Sequence, residues 1–147
     1  MSNYNEDMST NNIISLIATI REKSNKFIMR EMNNRNIKGL VISHGDILNA
    51  LFKYEVLTMK DISEKIERDK STVTTLVDKL VSIGYVTKQK DFNDSRIVLV
   101  SLTEKGKQLK SDFEEISSEL LSVVFSGIEE EEKEILIRTL TKIKNNF

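Results

Sequence analysis

A chain of 147 residues with 39% hydrophobic and 31% charged side chains is long enough to bury a core and has a globular rather than a disordered composition. A formal net charge of −1 argues against indiscriminate nucleic-acid binding, and no apolar run approaches the length of a membrane span. The lack of cysteine excludes disulfides, thiolate metal sites and a thiol switch, and a single histidine excludes a His-rich metal site within the chain.

Proline is also absent, so long unbroken helices are easily built. The opening MSNYNEDMSTNN is polar and acidic. It lacks the basic-then-apolar order of a secretion signal, so a cytoplasmic protein is expected. Residues 1–9 read as a frayed end. From about Thr10 to Asn34, Ile13, Ile17, Ile20, Phe27 and Ile28 fall on one helical face beside Leu16. Asn33, Asn34, Asn36 and Gly39 end that helix, and Leu40, Val41 and Ile42 form a short connector.

Ser43 reads as the cap of a helix to Tyr54, with Asp46 as its reciprocal partner and Ile47, Leu48, Leu51 and Phe52 turned inward. Thr58 and Asp61 repeat the cap pattern for a short helix that buries Ile62 and Ile66. Asp69 caps the next one. There Val73, Leu76, Val77, Leu80 and Val81 make the clearest amphipathic stripe of the chain, stopped by Gly84. Tyr85 to Lys90 and Ile97 to Leu102, joined by the turn residues DFNDS, read as a β-hairpin. Thr103 caps a long helix with a seam of Leu109, Phe113, Ile116, Leu120 and Val123, broken by Gly127. A last helix, Glu129 to about Asn146, presents Leu136, Leu140, Ile143 and Phe147.

Charge is distributed unevenly. Between Arg68 and Lys110 the cations Arg68, Lys70, Lys79, Lys88, Lys90, Arg96, Lys105, Lys107 and Lys110 outnumber Asp69, Asp78, Asp91, Asp94 and Glu104. The segment beyond Ser111 is acidic. A basic centre of this kind bears on partners rather than on fold.

Thr58 to Leu102 places two helices joined by a tight turn before a hairpin. In such a pair the second helix can enter a major groove. Its buried stripe leaves Lys70, Ser71, Thr72, Thr74, Thr75 and Lys79 outside or flanking. Hydroxyls can reach phosphates or base edges, and lysines neutralise phosphates. A ribbon beside that helix reaches a neighbouring groove, where Arg96 could enter a narrow minor groove. Asp94 could hold its guanidinium, and Asp91 could cap the turn. Taken alone, each feature reads as a solvated surface; their order and spacing together favour DNA.

At this point the chain resembles the MarR family of winged-helix transcriptional regulators. The resemblance rests on STVT-x-LVDKL-x-x-x-G, on D-x-x-D-x-R in the wing and on L-T-x-x-G at the start of the long helix. It implies a mainly α (α+β) fold, a winged helix-turn-helix at 40–102 and a helical dimerisation region at 1–39 and 103–147. It implies a homodimer on double-stranded DNA with an inverted repeat, each subunit docking one recognition helix and one wing. Lys88, Lys90, Asn93, Asp94, Ser95 and Arg96 are the wing candidates, with Arg96 matching the arginine that enters the minor groove. It also implies a small-molecule pocket between the dimer helices and the winged helix, for which His44 and Phe52 are candidate wall residues.

The chain departs from the family pattern in three places. Phe92 stands where proline often follows the first wing aspartate, Ser95 replaces the first of two arginines, and Thr75 stands where a larger basic residue is common. Fewer phosphate contacts and a shallower salt dependence are expected. Apart from the resemblance, the apolar seams of the first and last helices fit either a two-fold partner or packing within one subunit.

Glu129–Glu132 reads as first-turn acids complementing a helix dipole, and His44-x-Asp46 is a poor metal site. No nucleophile–base pair, glycine-rich phosphate loop or metal spacing is present, so neither enzyme activity nor a cofactor or metal is expected. The expected function is a sequence-specific DNA-binding repressor released by a small ligand. The alternative is a dimeric adaptor that binds a small molecule or protein without DNA.

Overall fold

The computed structural model describes residues 10–147; the expected frayed end at 1–9 lies outside them. A 3-10 turn, Thr10–Asn12, leads into α1 (Ile13–Asn34), followed by α2 (Ile42–Tyr54), β1 (Val56–Thr58), α3 (Met59–Ile66) and α4 (Lys70–Ile83). Then come β2 (Val86–Lys90), β3 (Val98–Leu102), α5 (Glu104–Lys107), α6 (Lys110–Val124) and α7 (Glu130–Asn145). Among the described residues no helix is long and apolar enough to cross a membrane.

Local chemistry sets most of the helix starts. Thr58 Oγ1 accepts from the Asp61 backbone N–H at 2.9 Å, and Asp61 Oδ2 accepts from the Thr58 N–H at 3.1 Å. Such caps are worth about 1 kcal/mol each. Asp69 accepts from the Thr72 N–H at 2.7 Å and opens α4. These bonds to the charged form hold the carboxyls of Asp61 and Asp69 below the usual range. Gly84 closes α4 in the left-handed region at φ 93°, as its position after the stripe predicts.

The start of α2 differs from expectation. The helix begins at Ile42, and Ser43 does not cap it with Asp46. Instead the Val41 backbone N–H donates to Nδ1 of buried His44 at 2.8 Å. The Ser43 hydroxyl accepts from the Arg68 guanidinium at 3.3 Å. A second difference is β1, too short to carry a periodic signal. It pairs antiparallel with β3, placing Leu57 opposite Val100, in a sheet of order β1-β3-β2. The expected long helix after Thr103 is also divided: α5 is a single turn, and α6 follows after Gln108 and Leu109.

The core is built by α2, α3, α4 and the sheet. Ile47, Leu48, Leu51, Ile62, Val77, Leu80 and Val100 are fully buried. The α4 stripe enters that core through Val73, Leu76, Val77 and Leu80, whereas Val81 stays exposed. On the other side Met32, Phe113 and Ile116 join α1 and α6 to the same cluster. Arg35, just past α1, cross-links those two helices. It pairs with Glu31 at 2.9 Å and reaches Asp112, Glu115 and Glu119 of α6 at 3.8, 3.6 and 3.0 Å.

The joint between α4 and α5 is tighter still. The last carbonyls of a helix lack intrahelical partners. Here the Lys105 ammonium donates to the Ile83 carbonyl at 2.8 Å, the Thr103 hydroxyl to that of Gly84, and the Thr103 N–H to that of Tyr85 at 3.0 Å. Thr103 Oγ1 also accepts from the Gly106 N–H at 3.1 Å. A Cβ on Gly106 would lie 2.0 Å from the Tyr85 carbonyl oxygen, so this backbone approach admits only glycine. The L-T-x-x-G motif is therefore a device for finishing α4 and starting α5 in one knot.

Gly106→Ala is expected to lower unfolding free energy by at least about 2 kcal/mol, because neither backbone can yield cheaply. A urea titration followed by circular dichroism checks it.

Candidate nucleic-acid interface

Helix α4 exposes Ser71, Thr75, Asp78 and Lys79, with Lys70 also exposed at its first turn and Thr72 and Thr74 half-buried at the flanks. The hydroxyl protons are already engaged. Ser71 donates to Asp69 at 2.9 Å, Thr74 to the Lys70 carbonyl at 2.9 Å, and Thr75 to the Ser71 carbonyl at 3.2 Å. What these side chains offer outward is oxygen lone pairs, so they suit amino-group donors on base edges better than phosphate oxygens. Lys70 and Lys79 are the exposed cations of this face.

The ribbon of β2 and β3 stands beside this helix. Its residue Lys88 pairs with Asp78 of α4 at 2.6 Å, an ion pair across elements that sequence spacing could not reveal. Lys88 is thus tied to the helix, while Lys90, farther along β2, is exposed.

At the turn the fork is formed as the spacing suggests. The Arg96 Nε donates to Asp94 Oδ1 at 3.0 Å and Nη2 to Oδ2 at 2.9 Å, and the Arg96 backbone N–H adds a third bond to Oδ1. Arg96 remains 89% exposed. The fork fixes its direction without covering it. The guanidinium holds the Asp94 carboxyl below its usual range. Asp91 Oδ2 accepts from the backbone N–H groups of Asn93 and Asp94 at 3.1 Å each, capping the turn. Asn93 and Ser95 are exposed beside it.

The two residues named for a ligand pocket are not together. Phe52 packs edge-to-face on Phe113 at 5.5 Å and lines an open cleft of about 460 Å³ with Leu51, Val56, Leu102, Lys107 and Lys110. The cleft lies between the winged region and the start of α6, and its two lysines were missed from sequence because only the fold converges them. His44 is elsewhere, closing the N-terminus of α2. Among the described residues no cluster of His, Asp and Glu could hold a metal ion.

Comparisons follow the same outline. The family model described as MarR family matches residues 41–98. The regulator SarZ of Staphylococcus aureus, named an HTH-type transcriptional regulator, is 33% identical over 101 residues, covering 69% of this chain and 68% of SarZ. The chain spans about two thirds of the length of the curated relatives it matches. A MarR transcriptional regulator from Methanosarcina mazei Go1 superposes with a TM-score of 0.81 at 27% identity, covering 93% of this chain and 97% of that one. A cysteine-to-serine variant of Escherichia coli MarR, solved with operator DNA, has the same fold, with a TM-score of 0.79 at 21% identity over 92% of this chain and 98% of its own.

The buried His44 yields a pH prediction. Burial, and secondarily the charge of Lys79, lowers its pKa below the ordinary 6.5. The unfolded chain therefore binds a proton at a pH where the folded one does not. Stability is full above about pH 6.5 and falls as pH drops through 6.5 toward the folded value. Urea midpoints between pH 7.5 and 5.5 should decline in the wild type and stay level in His44→Gln.

Proposed function

The chain belongs to the MarR family of DNA-binding transcriptional regulators, and from that premise we propose that it acts as a homodimeric repressor released from its operator by a small-molecule ligand. The observation that carries this reading is the Asp94–Arg96 fork on a capped ribbon, held beside the exposed face of α4 through Lys88 and Asp78. A cation aimed and left uncovered at the tip of a ribbon suits a narrow minor groove, while the adjoining helix suits a major groove. Residues 40–102 serve as the DNA-binding unit. Within it Lys70 and Lys79 neutralise phosphate, Ser71, Thr72, Thr74 and Thr75 face the bases, and Lys88, Lys90, Asn93, Asp94, Ser95 and Arg96 form the wing.

The dimer is supported by apolar surface that one protomer leaves open. Ile13, Leu16, Ile17 and Ile20 of α1 are exposed, and α7 buries none of its residues within the protomer while exposing Leu136, Ile137 and Leu140. A two-fold partner over 1–39 and 103–147 would cover both faces. The two recognition helices would then stand one helical turn apart, about 34–36 Å. The cleft beside Phe52 adjoins α6, the helix that ties the DNA-binding unit to the dimer region. A ligand there would alter that spacing. The same fold in an E. coli MarR solved with operator DNA supports DNA as the partner, and the regulator is expected to work in the cytoplasm.

Selection from a random duplex pool should recover an inverted repeat with half-sites about 10 base pairs apart. Recovery of no sequence, with the chain dimeric, would instead support the adaptor reading. Arg96→Ala should weaken operator binding by roughly 1–3 kcal/mol in a fluorescence-anisotropy titration. Lys70→Ala and Lys79→Ala should weaken binding to all duplexes alike and each reduce the salt slope by about 1.

A further inference from the structure

The wing tip holds an apolar side chain that its own fold does not use. The turn Phe92–Arg96 hangs from a rung in which the Asp91 N–H donates to the Ile97 carbonyl at 2.8 Å. The Ile97 N–H donates to the Asp94 carbonyl at 3.0 Å, Asp91 caps Asn93 and Asp94, and Asp94 grips Arg96. Every one of those bonds leaves out the Phe92 side chain, which is 100% exposed. The ring adds nothing to the core and is presented on a backbone already fixed on both sides. It shares its turn with Arg96, whose side chain is 89% exposed and held in direction by Asp94.

We propose that Phe92 is an apolar wedge that enters the minor groove beside Arg96, so that the wing reads DNA with a cation and a ring together. This rests on the DNA-binding reading given above. Aromatic side chains inserted at a base step from the minor groove partly unstack it and bend the duplex, and flexible pyrimidine–purine steps yield most easily. The ring brings no charge, so it adds affinity without adding a released counterion. It therefore offsets part of what Ser95 and Thr75 forgo at places where the family carries cations. It also makes the wing sensitive to the deformability of the step it meets, and not only to groove width.

The chain contains no tryptophan, so Phe92→Trp would place a single emitting indole at the wing tip. The probe is a labelled duplex recovered by the wild-type protein from a random pool. Phe92→Ala should bind it about tenfold or more weakly with an unchanged salt slope, and should melt at the wild-type temperature. Phe92→Trp should keep near wild-type affinity, and its emission should be quenched by the duplex and shielded from acrylamide. Wild-type affinity in Phe92→Ala, or an indole equally open to acrylamide in free and bound protein, overturns the proposal. So does a Phe92→Ala protein that binds the duplex normally but fails to repress transcription in vitro, since the ring would then meet a protein. If the wild type binds no duplex at all, the DNA reading fails first, and with it the premise of the wedge.

Discussion

The contact between the Gly106 backbone and the Tyr85 carbonyl is the constraint on which the arrangement of the whole protein depends. Three successive carbonyls at the end of α4, those of Ile83, Gly84 and Tyr85, would be left without helix partners. Lys105 and Thr103 satisfy all three from the beginning of α5. The helix that faces the outside with hydroxyls and lysines is thereby fused at its far end to the segment leading into α6. An unsatisfied buried carbonyl costs about 1–3 kcal/mol, so the joint resists opening by more than its few contacts suggest. The end of α4 and the start of α5 are thereby bonded directly, just ahead of α6.

The exposed face of α4 is less basic than the charge count alone implies. One of the central cations, Lys88, is neutralised by Asp78, and the serine and threonine protons are spent on Asp69 and on backbone carbonyls. The exposed cations on this side include Lys70, Lys79, Lys90 and Arg96, the last held by Asp94 yet 89% exposed. What the short side chains turn outward is oxygen lone pairs. A surface of this kind tolerates a net charge of −1, because the acids of the chain are concentrated elsewhere, notably along α6 and α7.

What could be read from sequence is what short-range bonding determines. The Thr58–Asp61 box, the Asp69 cap, the Gly84 stop and the Asp91–Asp94–Arg96 turn each join residues within a few positions, so their residue types and spacing sufficed. The α4 stripe was legible in the same way, save for Val81 at its margin. Features that join distant segments were not legible. Strand β1 exists because Val56–Thr58 finds an open edge on β3, and nothing in three residues predicts that partner. Ser43 and Asp46 have the composition of a cap, yet the imidazole of His44 takes the backbone N–H first, since burial leaves it neutral and free to accept. The Lys88–Asp78 pair, the lysines of the cleft and the crowding at Gly106 likewise depend on which elements the fold sets side by side. The order of the helices and the hairpin came from the residues themselves; the family resemblance supplied the motif at Gly106, but not the reason for that glycine.

Arg35 gives the α1–α6 contact an unusual mechanical character. Its guanidinium, with the side chain only 18% exposed, faces Asp112, Glu115 and Glu119, which follow one another at roughly one-turn intervals along α6. The contact is one cation set against a row of carboxylate teeth rather than a single ion pair. A planar fork with several donors can bridge two teeth at once, whereas a lysine ammonium is a compact point charge.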